Sequence, residues 1–426
     1  MARIRYFETE ECKEKWSELE KITTPEVTGA LKKLYSLYDV EIVDWIAGLY
    51  DHKIGGFYFS NTARDLESVT YNGKTTRLLP DVESTLQALN FLIGSGIAPD
   101  GYEKFIPDRM KKQIGEFVLG LQDEDGFFYH EQWGKEITVS RRARDFNWST
   151  AILDTLGLKP KYPTIVDTGS EKKSTVTLIP DHLKNPEAFF EYMESLKVWE
   201  NSWSCGNTLS AQFVQIKSQG LDEMCIDYLT RHQHPETGHW HHTSNYYAIN
   251  GLMKISGAYN QAEKPIPHAK EAAYSALAAI GSGEPFSAIT DLWNIWVSFT
   301  NIGRNLRNFG GEEGARLADE ITAAVRRDAA KAILTTADQV AGFKKPDFGF
   351  GYHKNSPSGF SQGMPVSTDT LTDGDLNGNL MATTHMIMMI YNALEIPKDK
   401  RVPLFGKAEG ERFIEAIEKS EKKTVE

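Results

Sequence analysis

The sequence predicts an all-α fold in one domain, and three observations carry that prediction. Apolar residues recur at helical spacing along nearly the whole chain, strand-like alternation is scarce, and no Pro/Ser-rich linker or abrupt charge shift divides it. Helices are expected near residues 24–37, 39–50, 81–94, 106–121, 146–156, 186–196 and 206–219. Further segments follow near 221–232, 244–259, 267–281, 288–303, 312–338, 376–394 and 408–420. TVTLIP at 175–180 is the best strand-like run. The stretch 158–185 reads as an ordered excursion, 339–375 is the longest segment without a helical pattern, and 421–426 reads as a solvated tail to a core of about 39–420.

Composition bounds the function. The 426 residues are 40% hydrophobic and 25% charged, which excludes collagen-like, coiled-coil and disordered classes. No apolar run is long enough to span a bilayer, and the start, MARIRYFETEECKEKW, lacks the apolar stretch of a secretory signal. Three cysteines without CxxC spacing fit a reducing compartment, so a cytoplasmic location is expected. A net charge of -12 speaks against nucleic acid or an anionic membrane as the main partner. The excess is aromatic, with 9 Trp, 17 Tyr and 21 Phe.

A weak repeat organises the helices. Trp45-Ile46 precedes Tyr50 and Gly55-Gly56-Phe57; Phe117-Val118 precedes Gln122 and Gly126-Phe127-Phe128; Tyr228-Leu229 precedes Gln233 and Gly238-His239-Trp240. Each break ends a helix, turns at Gly and is followed by a helix opening on small polar residues. Related breaks stand at Trp203–Gly206, Gly283–Phe286 and Phe348–Tyr352.

The Gln-x3–4-Gly-x-aromatic element resembles the repeat of the terpenoid cyclase and protein prenyltransferase β-subunit superfamily. The resemblance implies an (α/α)6 toroid of six inner and six outer helices, here with an extra N-terminal helical hairpin. Helices starting near 81, 146, 206, 244, 288 and 376 would be inner, so their N-termini and the breaks gather at one mouth, where the helix ends favour anionic or hydroxyl-rich ligands. The superfamily's chemistry is not carried over. Asp81-Val82-Glu83-Ser84 lacks the adjacent acid pair of a cyclase, and neither Cys205 nor Cys225 lies in the Asp-x-Cys setting of a zinc site. Similar toroids serve glycoside hydrolases and polysaccharide lyases.

The mouth residues suit sugars. Trp148, Trp203 and Trp240 can stack on pyranose faces, with Trp148 and Trp240 ranked first; Trp293 and Trp296, three apart on one helix, read as core. Arg141 and Arg144, in the basic run before Asp145, suit a carboxylate, with Asn207 as a further substrate contact and Asn245 to neutralise the carboxylate in an elimination. Asp145 also reads as a helix cap. Glu83, Asp145 and Asp375 are candidate hydrolytic carboxyls, since two carboxyls must face one glycosidic bond. His242 and Tyr246 are candidate bases for elimination. The three histidines at 239–242 form no convincing metal set.

The expected function is cleavage of acidic, uronate-containing oligosaccharides, with hydrolysis ranked ahead of elimination because carboxylates open three inner helices. No cofactor is expected. An isoprenoid-binding or cyclase-like toroid is the alternative, and a non-catalytic glycan- or protein-binding toroid the second. A deep apolar cavity would favour isoprenoids, and a polar cleft lined with Trp, Asn and Arg would favour sugars. Oligomeric state is not readable from the sequence.

Overall fold

The computed structural model describes residues 5–66, 68–71, 73–167, 177–243, 246–368 and 373–425. The chain opens with α1 (Glu10–Ile22), α2 (Pro25–Tyr35) and α3 (Glu41–Ala47). The antiparallel ribbon β1 (Tyr50–Asp51)–β2 (Gly56–Phe57), the short helix α4 (Asn61–Asp65) and the antiparallel ribbon β3 (Val69–Tyr71)–β4 (Lys74–Thr76) follow. Next come α5 (Val82–Ser95), α6 (Tyr102–Phe105), α7 (Asp108–Gly120), α8 (Val139–Thr155), α9 (Pro186–Ser195) and α10 (Ser202–Ser218). These lead to α11 (Asp222–Arg231), α12 (Tyr246–Ala262), α13 (Ala269–Ala279), α14 (Ile289–Phe309) and α15 (Gly311–Ala341). The antiparallel ribbon β5 (Phe360–Ser361)–β6 (Met364–Pro365) precedes α16 (Leu376–Ala382), α17 (Thr384–Ala393) and α18 (Lys407–Val425).

The chain is therefore mostly helical, with many packed helices. α5 packs on α8, α8 on α10, α10 on α12 and α12 on α14; α14 meets α16 and α17, and both of these return to α5. Outside this series, α7 packs on α8, α11 on α12, α13 on α12 and α14, and α15 on α14, with α2 against α15. α10 and α12 pack closely, and glycine permits it. A Cβ on Gly251 would stand 2.3 Å from Ser202 Oγ, and one on Gly206 would stand 2.9 Å from Lys254 Cβ.

The breaks have a physical basis. Gly55, Gly126 and Gly238 adopt φ of 86°, 89° and 69°, and a Cβ on each would lie 2.4 Å from Gln113 O, 2.5 Å from Pro163 O and 2.1 Å from Ala272 N. Conformation and space both demand glycine there. Gln122 Oε1 accepts the Lys161 and Tyr162 N–H groups, and Gln233 Nε2 donates to the Gly238 and Pro267 carbonyls. The glutamine thus clamps its break to the chain beyond the following helix. Tyr50, in the glutamine's place, donates to Gln113 Oε1 at 3.1 Å. A further copy sits before β5: Lys344 bridges Phe350 as Gln122 bridges Phe128, and Phe348 takes φ 70° where Gly126 stands.

Several expectations need correction. The helix expected at 146–156 begins at Val139, because Thr138 Oγ1 accepts the Arg141 N–H at 3.0 Å and caps it. Arg141–Asp145 therefore lie inside α8, and Asp145 caps nothing. The pattern concealed this turn because its buried face is charged. The segment at 376–394 is two helices, parted at Thr383. α1 was not anticipated: Cys12, Trp16 and Leu19 form a narrow buried stripe among charges. Residues 177–180 of the strand-like run are in no strand, and 175–176 lie outside the described residues. α18 runs through Val425, into the expected tail.

Candidate functional site

A cavity of about 420 Å³ opens among the N-terminal parts of α5, α8, α10, α12, α14 and α16–α17. Its walls are indole and amide: Trp148, Trp203 and Trp293 with Asn90, Asn207, Asn294 and Asn377. The segment after α15 closes one side through Tyr352, Ser358, Phe360, Ser361 and Gln362. That side is tied down, since Gln362 Oε1 accepts from Asn207 Nδ2 at 2.8 Å and from Ser140 Oγ at 2.9 Å. A larger groove of about 1070 Å³, chiefly apolar, lies at the opposite ends of α5 and α17 beside Ile93, Phe105, Leu404 and Phe405.

Beneath the cavity lies a buried charge cluster. Arg141 has no solvent exposure. It donates to Asp145 Oδ2 at 3.0 Å through Nε and to Glu83 Oε2 at 3.0 Å, with Asp81 Oδ1 at 3.4 Å, and it stacks 4.1 Å from the Trp133 ring centroid. Burial alone would ease its proton off, but Asp145, Glu83 and Asp81 outweigh burial and hold it charged. Glu83 lines the cavity yet is fully engaged: Ser361 Oγ donates to Oε2 at 2.5 Å, while Gln87 Nε2 and Asn377 Nδ2 donate to Oε1 at 3.3 and 3.4 Å. Burial raises its pKa and Arg141 opposes the rise. Asp145 is pushed up to about 7 by burial, against the pull of Arg141.

One turn along α8 the situation reverses. Arg144 faces the cavity and donates through Nη2 to Asn207 Oδ1 at 2.6 Å, while its Nε is buried without a hydrogen-bond partner. Burial and the neighbouring Arg141 lower its pKa, with Glu83 opposing. Across from it, Lys254 of α12 also lines the cavity and makes no hydrogen bond or ion pair among the described residues. Burial, then the positive Arg144, drive its pKa well below the usual lysine range. His385 stacks on Trp293 with centroids 5.8 Å apart, and burial pulls its pKa down to about 4. The Tyr352 hydroxyl lies 3.0 Å from Thr290 Oγ1, and burial pushes its pKa up to about 12.

Four buried polar atoms of lining residues have no hydrogen-bond partner: Arg144 Nε, Trp293 Nε1, Gln87 Oε1 and Asn294 Oδ1. Two donors and two acceptors thus lack partners among the residues that line one space, and an unpaired buried polar group is costly.

The structure gathers Glu83, Arg144, Trp148, Trp203 and Asn207 in the cavity. Arg141 and Asp145 sit beneath it. Trp240 is elsewhere, fully buried with its Nε1 donating to Leu229 O at 2.6 Å. Trp296 is core, as expected, but Trp293 is a wall of the cavity. Asp375 caps α16 through Gly378 N at 2.7 Å and accepts the N–H groups of Tyr352 and Ser358 at 2.6 and 3.1 Å. Burial pushes it up to about 7 against those three bonds. His242 is exposed near the Trp199 carbonyl, and Tyr246 is buried against Phe286. Asn245 lies outside the described residues.

Sequence reasoning missed Lys254 and His385. Lys254 left a signal, being the one charged residue in the whole of α12. Among the described residues no group of three or more His, Cys, Asp or Glu is placed to hold a metal ion, and no helix is long and apolar enough to cross a membrane. Comparison with protein-family models, curated proteins and solved structures finds no match to this chain.

Proposed function

We propose that this chain is an α/α toroid acting as a carbohydrate-active enzyme, and that it cleaves acidic oligosaccharides by β-elimination. The toroid reading is supported by the succession of packing pairs that returns to α5 and by the glycine clamps repeated at Gly55, Gly126 and Gly238. The sugar reading rests above all on one observation: one cavity joins indole walls, four lining residues with unpaired buried polar atoms, the Arg144 guanidinium and the Lys254 amine. Indoles stack on pyranose faces, amides serve hydroxyls and Arg144 suits a carboxylate.

Elimination takes precedence over hydrolysis on the carboxylate geometry. Hydrolysis requires two carboxyls facing one bond. Glu83 is the one carboxylate among the described lining residues, and Arg141, Ser361, Gln87 and Asn377 hold it. Elimination requires a cation on the substrate carboxylate, a base for the α-proton and an acid for the leaving oxygen. Arg144 serves the first role. Neutral Lys254 takes the proton, the C–H electrons form the ring double bond, and the glycosidic oxygen departs with a proton from Tyr352.

The test is incubation with pooled neutral and uronate-containing oligosaccharides, followed by mass spectrometry and ultraviolet absorbance. A conjugated double bond without added water is the expected product. Products with added water and no chromophore would return the chemistry to the carboxylates, and binding without turnover would leave a glycan-binding toroid.

A further inference from the structure

The Lys254 amine has an unusual setting. It shares a cavity of about 420 Å³ with a second cation, Arg144, and the one carboxylate among the described lining residues is committed to Arg141. Burial and the facing guanidinium disfavour an ammonium ion there, and the Glu83 carboxylate that opposes them is already held by Arg141. Its position is fixed from behind. Gly206 lets α10 approach until the space of a Cβ would fall 2.9 Å from Lys254 Cβ, which confines the stem to the cavity wall.

We propose that Lys254 is an imine-forming amine and that the cavity takes small keto or aldehydo acids, with their carboxylate on Arg144 and their carbonyl carbon at Lys254 Nζ. The Nζ lone pair adds to the carbonyl carbon. The carbinolamine loses its oxygen as water, taking up one proton there while the nitrogen gives up another, and a C=N bond remains. The Arg144 guanidinium lines the cavity and is held in place through Nη2 by Asn207, which positions it for the carboxylate. The amide residues of the cavity wall, Asn90, Asn207 and Asn377, suit hydroxyls on a sugar-derived acid. The class includes the expected elimination product, because an unsaturated uronic acid released as a monosaccharide is an enol ether that opens to an α-keto acid. The inference shares with the elimination reading the Lys254 amine and the carboxylate placement on Arg144, and it does not require that any glycosidic bond be cut.

The test uses the full chain with pyruvate and sodium cyanoborohydride near neutral pH, followed by peptide mass mapping. Every surface lysine is an internal competitor. Lys254 is expected to gain a carboxyethyl group at least about tenfold faster than the other lysines, because a depressed pKa leaves more of its amine neutral. Labelling at the surface rate, or none, overturns the proposal. Acetone, a carbonyl without a carboxylate, tests the Arg144 role in the wild-type protein and in Arg144→Gln. Pyruvate is expected to label faster than acetone in the wild type, and the substitution is expected to abolish that preference. Equal rates in the wild type, or a preference that survives the substitution, overturn the carboxylate placement. Labelling without oligosaccharide cleavage upholds the imine site and removes the elimination reading; cleavage without labelling does the reverse.

Discussion

Arg141 and Arg144 lie one helical turn apart on α8, and they are in opposite states. Arg141 is enclosed by Asp81, Glu83 and Asp145, flat against Trp133, with its donors directed at carboxylates of its own chain. Arg144 has a neutral partner, Asn207, an unpaired Nε and the Lys254 amine across the cavity. The difference teaches how to separate structural from functional charge. A buried charge whose partners are complete holds the fold, and a buried charge whose partners are missing implies a ligand that brings them.

Breaking the first region has the largest expected effect on stability. Arg141→Met leaves three carboxylates buried around an apolar side chain, which should cost about 3–5 kcal/mol. Urea unfolding checks this, and a loss below about 1 kcal/mol would show that the cluster relaxes into water.

Lys254→Met is expected to act the other way round. Turnover of a uronate oligosaccharide should fall by about a hundredfold to ten-thousandfold, the range for a lost general base. Stability should hold or rise, since an uncompensated amine has been removed. The pH dependence is signed. The folded-state pKa of Lys254 lies well below the lysine reference of about 10.4. Between those two values the unfolded chain binds the extra proton, so this group's contribution to stability rises with pH. Melting temperatures of wild type and Lys254→Met across that window should differ in slope, and parallel curves would mean an ordinary lysine.

Asp375 sharpens the same contrast, because it has a catalytic residue type and a structural set of partners. Asp375→Asn sets an amide NH₂ against the Tyr352 and Ser358 N–H groups, at a cost of about 1–3 kcal/mol by urea unfolding. The smallest expected effect is at Phe348, which is exposed and holds φ 70° in a glycine position. Phe348→Gly should raise stability by about 0.5–1 kcal/mol as strain is released. A loss of stability would mean that the ring packs better than its exposure indicates.

The periodicity of the fold was legible and the electrostatics of the site were not. Gly55, Gly126 and Gly238, with Tyr50, Gln122 and Gln233 before them, marked real clamps, because a turn against backbone leaves its demand in one residue type. The start of α8 was hidden because Arg141, Arg144 and Asp145 face inward, opposite to what charge predicts. Trp240 and Trp293 exchanged roles for a similar reason: whether an indole is enclosed by core or lines a cavity depends on neighbouring helices, which no local pattern records. Lys254 stood out only once α12 was seen to carry no other charge and to face Arg144.

The most direct measurement is ultraviolet-monitored turnover of a uronate-containing oligosaccharide by wild type and Lys254→Met side by side, both shown folded by thermal melting. The account predicts a rising conjugated-alkene absorbance for the wild type and almost none for the variant. Equal rates from the two proteins, or cleavage without the chromophore, would contradict it.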